Sequence, residues 1–243
     1  MSPYGIVWVL GVMLAAAFVQ SVGGFGFSLM AVPLAALAID LDTAVITVSL
    51  GSLFNVTILF WQSRRDIDRA LARRFNVSAI VGMPLGLAVL ILVSQRPLKI
   101  ALGASIIVAT VGLMRGAGTI APRRTYDVLA GWLSGVLSTA TGTNGPPLVL
   151  AAQMRGLAPE AFRATLAFTF VVSGAVSMVL FVAAGLVGGD EVALAVGAIP
   201  LIICGQRLGM RAQPVFSGRR FDRLVYGLLF VSGLSVGISG LLA

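Results

Sequence analysis

Apolar residues in this chain run in continuous blocks. They do not alternate as in a strand, nor do they form the narrow stripes of a soluble amphipathic helix. Six blocks approach the roughly 20 residues that a helix needs to cross a bilayer core. They are 43–62, 75–93, 98–114, 163–185, 192–210 and 221–242. Two further apolar regions, 5–40 and 127–155, are interrupted by helix-breaking clusters, GGFGFS at 23–28 and TGTNGPP at 141–147. Gly and Pro at that density end a helix. Each region therefore reads as helix, break, short helix, with a second arm of about 10 to 13 residues, too short to span. Irregular backbone is excluded from lipid but tolerated where protein or a cavity surrounds it. Both regions are expected to be re-entrant hairpins with their tips inside the protein. The predicted fold class is an all-α polytopic membrane protein, because a transmembrane barrel needs an alternation that is absent here.

Composition agrees with that pattern. Of 243 residues, 58% are hydrophobic and only 11% are charged. An average soluble domain has roughly 25% charged residues, so an ordinary soluble enzyme, a disordered chain and a disulfide scaffold are excluded. The net charge of +8 does not point to nucleic acid. The basic residues sit in short clusters between apolar blocks, as in membrane-flanking loops, and no nucleic-acid motif accompanies them. No Lys or Arg precedes the first apolar stretch, so no signal peptide is expected. If both hairpins return to the side they enter from, fifteen of the seventeen basic residues share one face. These are Arg64, Arg65, Arg69, Arg73, Arg74, Arg115, Arg123, Arg124, Arg155, Arg163, Arg207, Arg211, Arg219, Arg220 and Arg223, against Arg96 and Lys99 on the other. The positive-inside rule puts the fifteen in the cytoplasm and both termini in the periplasm.

The chain also repeats. A shift of 118 residues lays Gly24 on Gly142, Thr47 on Thr165, and Leu41–Asp42 on Pro159–Glu160. The arginine-rich loop 63–74 then matches 183–191, which holds Asp190 and Glu191 and no basic residue. Three full spans per repeat is an odd number, so the second copy is expected to be inverted, as in many secondary transporters. The first repeat is 1–114, with hairpin 5–40. A cytoplasmic linker follows at 115–125. The second repeat is 126–243, with hairpin 127–155.

The breaks carry the candidate chemistry. In the second, Thr141, Thr143 and Asn144 offer donors and acceptors, Gly142 and Gly145 allow close backbone approach, and Pro146 and Pro147 suit a first helical turn. In the first, Gly23, Gly24 and Gly26 surround Phe25, and Ser28 is the expected N-cap. Both short helices would point positive N-termini at the membrane centre, which suits an anion. The competing reading is that Gly and Pro merely let helices kink and pack. Thr165, Thr169, Ser173 and Ser177 recur every four residues on one helix face. The 118-residue shift maps the first three onto Thr47, Gly51 and Asn55. This stripe is either a polar pathway lining or a small-residue packing seam. Arg163 and Gln20 are gating candidates, with interfacial snorkelling as the alternative for Arg163. Asn76 is a weaker candidate of the same kind. Pro84 and Pro200 are expected to kink their helices, and Trp8, Trp61 and Trp132 to anchor at the interfaces.

Several chemistries are excluded. There is no His, and the single Cys204 lies in an apolar run, so neither a metal site nor a cofactor is expected, and no enzyme activity. All nine carboxylates fall in loops or at span edges, which argues against a buried proton relay. No Walker A loop is present. An anion leaving a cell gains roughly 2.3 kcal/mol per charge per 100 mV, so efflux can run downhill without a coupling ion.

The stretches GGFGFSLMAVPL at 23–34, TGTNGPPLVL at 141–150 and APEAFRATL at 158–166 resemble the sulfite exporter TauE/SafE family of membrane transporters. The resemblance extends through both repeats. It implies a location in the bacterial inner membrane and transport of sulfite, thiosulfate, sulfoacetate or another small sulfur-containing or organic anion. The chain departs from the common glycine-rich pattern at Thr143–Asn144. The combined expectation is a secondary exporter of a small anion, working by alternating access at a midplane site between the two tips. A passive anion channel is the alternative, and a membrane scaffold is disfavoured because it has no need of polar breaks. The expected partners are the anion and the lipid bilayer, with no nucleic acid. A coupling proton or sodium ion and a homo-oligomer are left open.

Overall fold

A computed structural model describes residues 3–115, 123–216 and 219–242. The linker expected at 115–125 lies mostly outside them. The described residues form ten α-helices and no strand. In chain order these are α1 (Pro3–Gly23), α2 (Phe27–Ala35), α3 (Leu41–Ser63), α4 (Arg69–Leu92), α5 (Gln95–Arg115), α6 (Arg124–Thr141), α7 (Gly145–Met154), α8 (Pro159–Ala183), α9 (Gly189–Phe216) and α10 (Arg219–Leu242). Helices α1, α3, α4, α8 and α9 are long and apolar enough to cross a membrane. α1 was expected only as a hairpin arm, yet its 21 residues reach about 31 Å. The blocks 98–114 and 221–242 form α5 and α10 and are not among those five.

Several helices begin before their apolar blocks do, because their starts are polar by design of the chain. Asp68 caps α4, its side chain accepting from Ala70 N and Leu71 N at 3.1 and 3.0 Å. Pro159 starts α8, where its missing N–H costs nothing. Asp42, Asp127, Glu160, Asp190 and Glu191 all lie in first helical turns. There a carboxylate favours the helix dipole.

The helices break at 24–26 and 142–144. Gly24 and Gly26 have φ of 81° and 109°, and Gly142 has φ of 67°. Only glycine enters that left-handed region without strain. Each short helix then runs back along its long arm. Trp8 Nε1, near the start of α1, donates to Leu34 O near the end of α2 at 2.7 Å. Arg155, at the end of α7, pairs with Asp127 in the first turn of α6.

Three tight helix pairs dominate the packing: α4 with α6, α1 with α9, and α5 with α10. Each is built on glycine, the small-residue device by which membrane helices approach closely. Gly82 and Gly86 of α4 meet the Trp132 and Val136 carbonyls, while Gly131 and Gly135 of α6 meet Phe75 and Ala79. Gly205 and Gly209 of α9 lie against Leu14 and Phe18 of α1, and Gly103 of α5 lies against Gly233 and Gly237 of α10. In each case an added Cβ would overlap backbone atoms. The pairings match under exchange of α1–α5 with α6–α10: α4–α6 corresponds to α9–α1, α3–α9 to α8–α4, and α3–α8 and α5–α10 to themselves.

Candidate functional site

The two breaks converge. A cleft between them is lined by Gln20 of α1, Gly26, Phe27, Ser28 and Leu29 at the start of α2, Ser52 and Val56 of α3, Asn144 and Gly145 at the start of α7, and Phe170 of α8. Its free volume is about 20 Å³, room for a single water. The cleft holds no carboxylate and no guanidinium. Its polarity comes from amides, hydroxyls and the N–H groups of two first helical turns, which have no carbonyl of their own helix to donate to.

The two helix starts are unequal. Ser28 is not the expected N-cap: Gly26 holds that position, without a side-chain cap, and Ser28 lies one residue inside α2. The reason is geometric, since the chain enters α2 from a left-handed backbone that serine does not readily adopt. On α7, Pro146 and Pro147 follow Gly145 directly and carry no N–H. The donors on that side are therefore the Gly145 N–H and the Asn144 side chain, which makes no capping hydrogen bond. The Asn144 carbonyl accepts from Ser134 Oγ at 2.7 Å, so its backbone is held from α6.

Thr141 and Thr143 turn away from this role. Both are buried; Thr141 Oγ1 bonds Leu137 O at 3.0 Å and pairs with Thr143 Oγ1 at 2.8 Å. A carbonyl only accepts, so Thr141 spends its proton on Leu137, and Thr143 must donate to Thr141. Neither hydroxyl keeps a proton for an anion. Gly142 is buried in the turn and Pro146 in the first turn of α7. Phe25 is half-buried against both hydrophobic clusters of the core.

Beside the cleft lies a vestibule of about 260 Å³ that includes Gln20, Gly24, Gln62, Ser63 and Arg163. Gln20 lines both spaces. The Arg163 stem lies over the first tip, with its Cγ 3.1 Å from where a Cβ on Gly24 would stand. Gln20 is oriented from behind. Asn55 Nδ2 donates to Gln20 Oε1 at 3.0 Å, and Gln206 Nε2 of α9 donates to Asn55 O at 3.3 Å. With Oε1 engaged, the amide N–H pair is what Gln20 offers the two spaces. Ser52 and Gln206 are absent from the sequence expectation. Ser52 sits one turn from Val56 on the cleft side of α3, and Gln206 lies between Gly205 and Gly209, a spacing that marks a close helix contact.

The polar stripe lies inside the helix packing, and three of its hydroxyls are engaged there. Thr165 Oγ1 accepts from Asp68 N at 3.0 Å, Thr169 Oγ1 donates to Thr165 O at 2.9 Å, and Ser177 pairs with Ser138 at 3.0 Å. Thr47, Ser173 and Asn55 are buried, with Thr47 Oγ1, Ser173 Oγ and Asn55 Oδ1 unpartnered. None of these six residues lines the cleft or the vestibule.

Comparison with known proteins gives one consistent result. The sequence model of the Sulfite exporter TauE/SafE family matches residues 9–236. A curated protein of Cupriavidus necator named "Probable sulfite/organosulfonate exporter TauE" is 26% identical over 230 residues, covering 91% of this chain and 90% of its own length. No solved structure matches the chain.

Proposed function

The chain belongs to the sulfite exporter TauE/SafE family of membrane transporters, and on that premise we propose that it exports a small sulfur oxyanion or organosulfonate. The substrate class follows the name of the Cupriavidus necator relative. The observation that carries the reading is the cleft where both short-helix starts meet, polar, free of formal charge and joined through Gln20 to the Arg163 vestibule. A site that binds through dipoles and amides holds an anion without a counter-charge that would retain it.

The mechanism is alternating access between two inverted repeats, 1–114 and 126–243. The matched helix pairings and the return of α2 and α7 along α1 and α6 support that arrangement. Both hairpins re-enter, both termini face the periplasm, and the arginine-rich loops face the cytoplasm. The vestibule lies at the C-terminal end of α3, beside Ser63, and is therefore the cytoplasmic entrance. Arg163 gathers anions there, and Gln20 passes them to the tips. A cleft with room for one water is closed to an anion, which favours a transporter over a standing pore. Efflux follows the membrane potential, so neither a coupling proton nor sodium is required.

Thermal unfolding of the purified protein tests the substrate class. A ligand that binds only the folded state raises apparent stability. Sulfite and small organosulfonates are expected to raise Tm by several degrees, and simple carboxylates by less. A flat response to all three contradicts the anion reading.

A further inference from the structure

A third cavity shares no lining residue with the cleft or the vestibule. It is a groove of about 930 Å³ on the outer side of the α4–α6 pair, lined by Arg73, Arg74, Val77, Val81, Leu129 and Trp132 among others. The contacts of Gly131 with Phe75, Gly135 with Ala79 and Gly82 with Trp132 show that α4 and α6 run parallel. Their N-termini therefore share one end of the groove, and that end holds the arginines. From Arg73 to Val81 the floor runs about 12 Å along α4. Val77, Val81 and Leu129 are 60%, 67% and 57% exposed.

The arginine end has cationic charge to spare. Arg74 and Arg155 share one buried carboxylate, Asp127, and exposed Arg73 has no ion-pair partner among the described residues. The matching groove of the α1–α9 pair, lined by Ile6, Leu10, Leu194 and Gly197, carries Asp190 at its end and no arginine. Grooves on two corresponding helix pairs thus carry opposite charge. A second copy docked through the arginine groove by a two-fold axis would bring like arginine clusters together. A phosphate would neutralise them.

We propose that the α4–α6 groove binds an anionic phospholipid, with its phosphate held by Arg73 and Arg74 and an acyl chain laid along Val77, Val81, Leu129 and Trp132. Basic pockets at helix ends on an arginine-rich membrane face suit anionic headgroups, and the helix N-termini add positive potential. This inference does not depend on what the protein transports.

Trp132 reports on its own groove. A protein with Trp132 as its sole tryptophan (Trp8→Phe, Trp61→Phe) is placed in phosphatidylcholine vesicles containing brominated phosphatidylglycerol or brominated phosphatidylcholine. The control keeps only Trp61 (Trp8→Phe, Trp132→Phe), whose ring lies 4.5 Å beneath the Arg64 guanidinium and so reports general attraction to a basic face. Brominated phosphatidylglycerol is expected to quench Trp132 about five-fold more effectively per mole than phosphatidylcholine, with a smaller preference at Trp61. Arg73→Gln, an exposed substitution outside the Asp127 cluster, is expected to bring the Trp132 preference down to that of Trp61. Equal preference at the two tryptophans, or a Trp132 preference indifferent to Arg73→Gln, overturns the proposal. So does shielding of Trp132 from both lipids, which means a second copy covers the groove. Relief of quenching by inorganic phosphate assigns the arginines to a free anion and also overturns it.

Discussion

Replacing Asn144 with alanine is expected to weaken anion binding about 10- to 100-fold while the protein still inserts and folds. Hydrogen bonds to a charged group contribute about 1.5–3 kcal/mol, which sets that range. The fold is spared for local reasons. Asn144 has φ −84° and ψ −9°, which alanine adopts freely, and its side chain caps nothing. What the turn needs from this residue is its carbonyl, which receives the Ser134 hydroxyl and survives the substitution. The neighbouring Thr143→Val should give the opposite pattern. Its hydroxyl serves Thr141 inside the turn, so it should cost about 1 kcal/mol of stability and leave affinity unchanged. Titration of sulfite into the two purified variants separates these outcomes. Unchanged affinity in a folded Asn144→Ala protein removes the residue from the site.

The second large effect is on stability. Asp127 is 1% exposed and is the carboxylate that holds both Arg74 and Arg155. Those three residues tie α4, α6 and the far end of α7 together, so Asp127 fastens the second hairpin shut. Its sequence position suggested only a span edge. Asp127→Ala leaves two cations facing each other, and breaking a buried pair typically costs 3–5 kcal/mol. The arginine side chains are 25% and 18% exposed, so water screens part of the loss and about 3 kcal/mol is expected. Asp127→Ala combined with Arg155→Met should recover part of it, because one stranded cation is removed. A thermal melt of the two variants in detergent measures both effects. Equal stability of Asp127→Ala and the parent protein contradicts the role of this cluster.

What could be read from the chain followed the reach of the forces involved. The breaks at Gly24, Gly26 and Gly142 were legible because backbone conformation is local, and glycine clusters announce it. Membrane class was legible because it depends on summed hydropathy. Partners across helices were not. Asp127 shows no sign of Arg74 or Arg155 in its own neighbourhood, and Gln20 shows none of Asn55 or Gln206. The four-residue stripe on α8 had the right period for a lining, but period gives a face and not its neighbour. That face met other helices instead of the cleft. A signal for the pairing was present: Gly82 with Gly86, Gly131 with Gly135, Gly205 with Gly209 and Gly233 with Gly237 all repeat the small-residue spacing of close membrane contacts. It marks which helices approach closely without naming the mate.

On the proposed function the anion passes through the cleft between the two tips. Counterflow in proteoliposomes tests this most directly: vesicles loaded with unlabelled sulfite are diluted into a trace of radiolabelled sulfite. A saturable carrier with one alternating site should accumulate label transiently above equilibrium, and Gly145→Trp, which fills the cleft beside Asn144 and Ser28, should abolish that overshoot. Uptake that rises to equilibrium without overshoot in the parent protein, or an overshoot that persists in a folded Gly145→Trp variant, would contradict it.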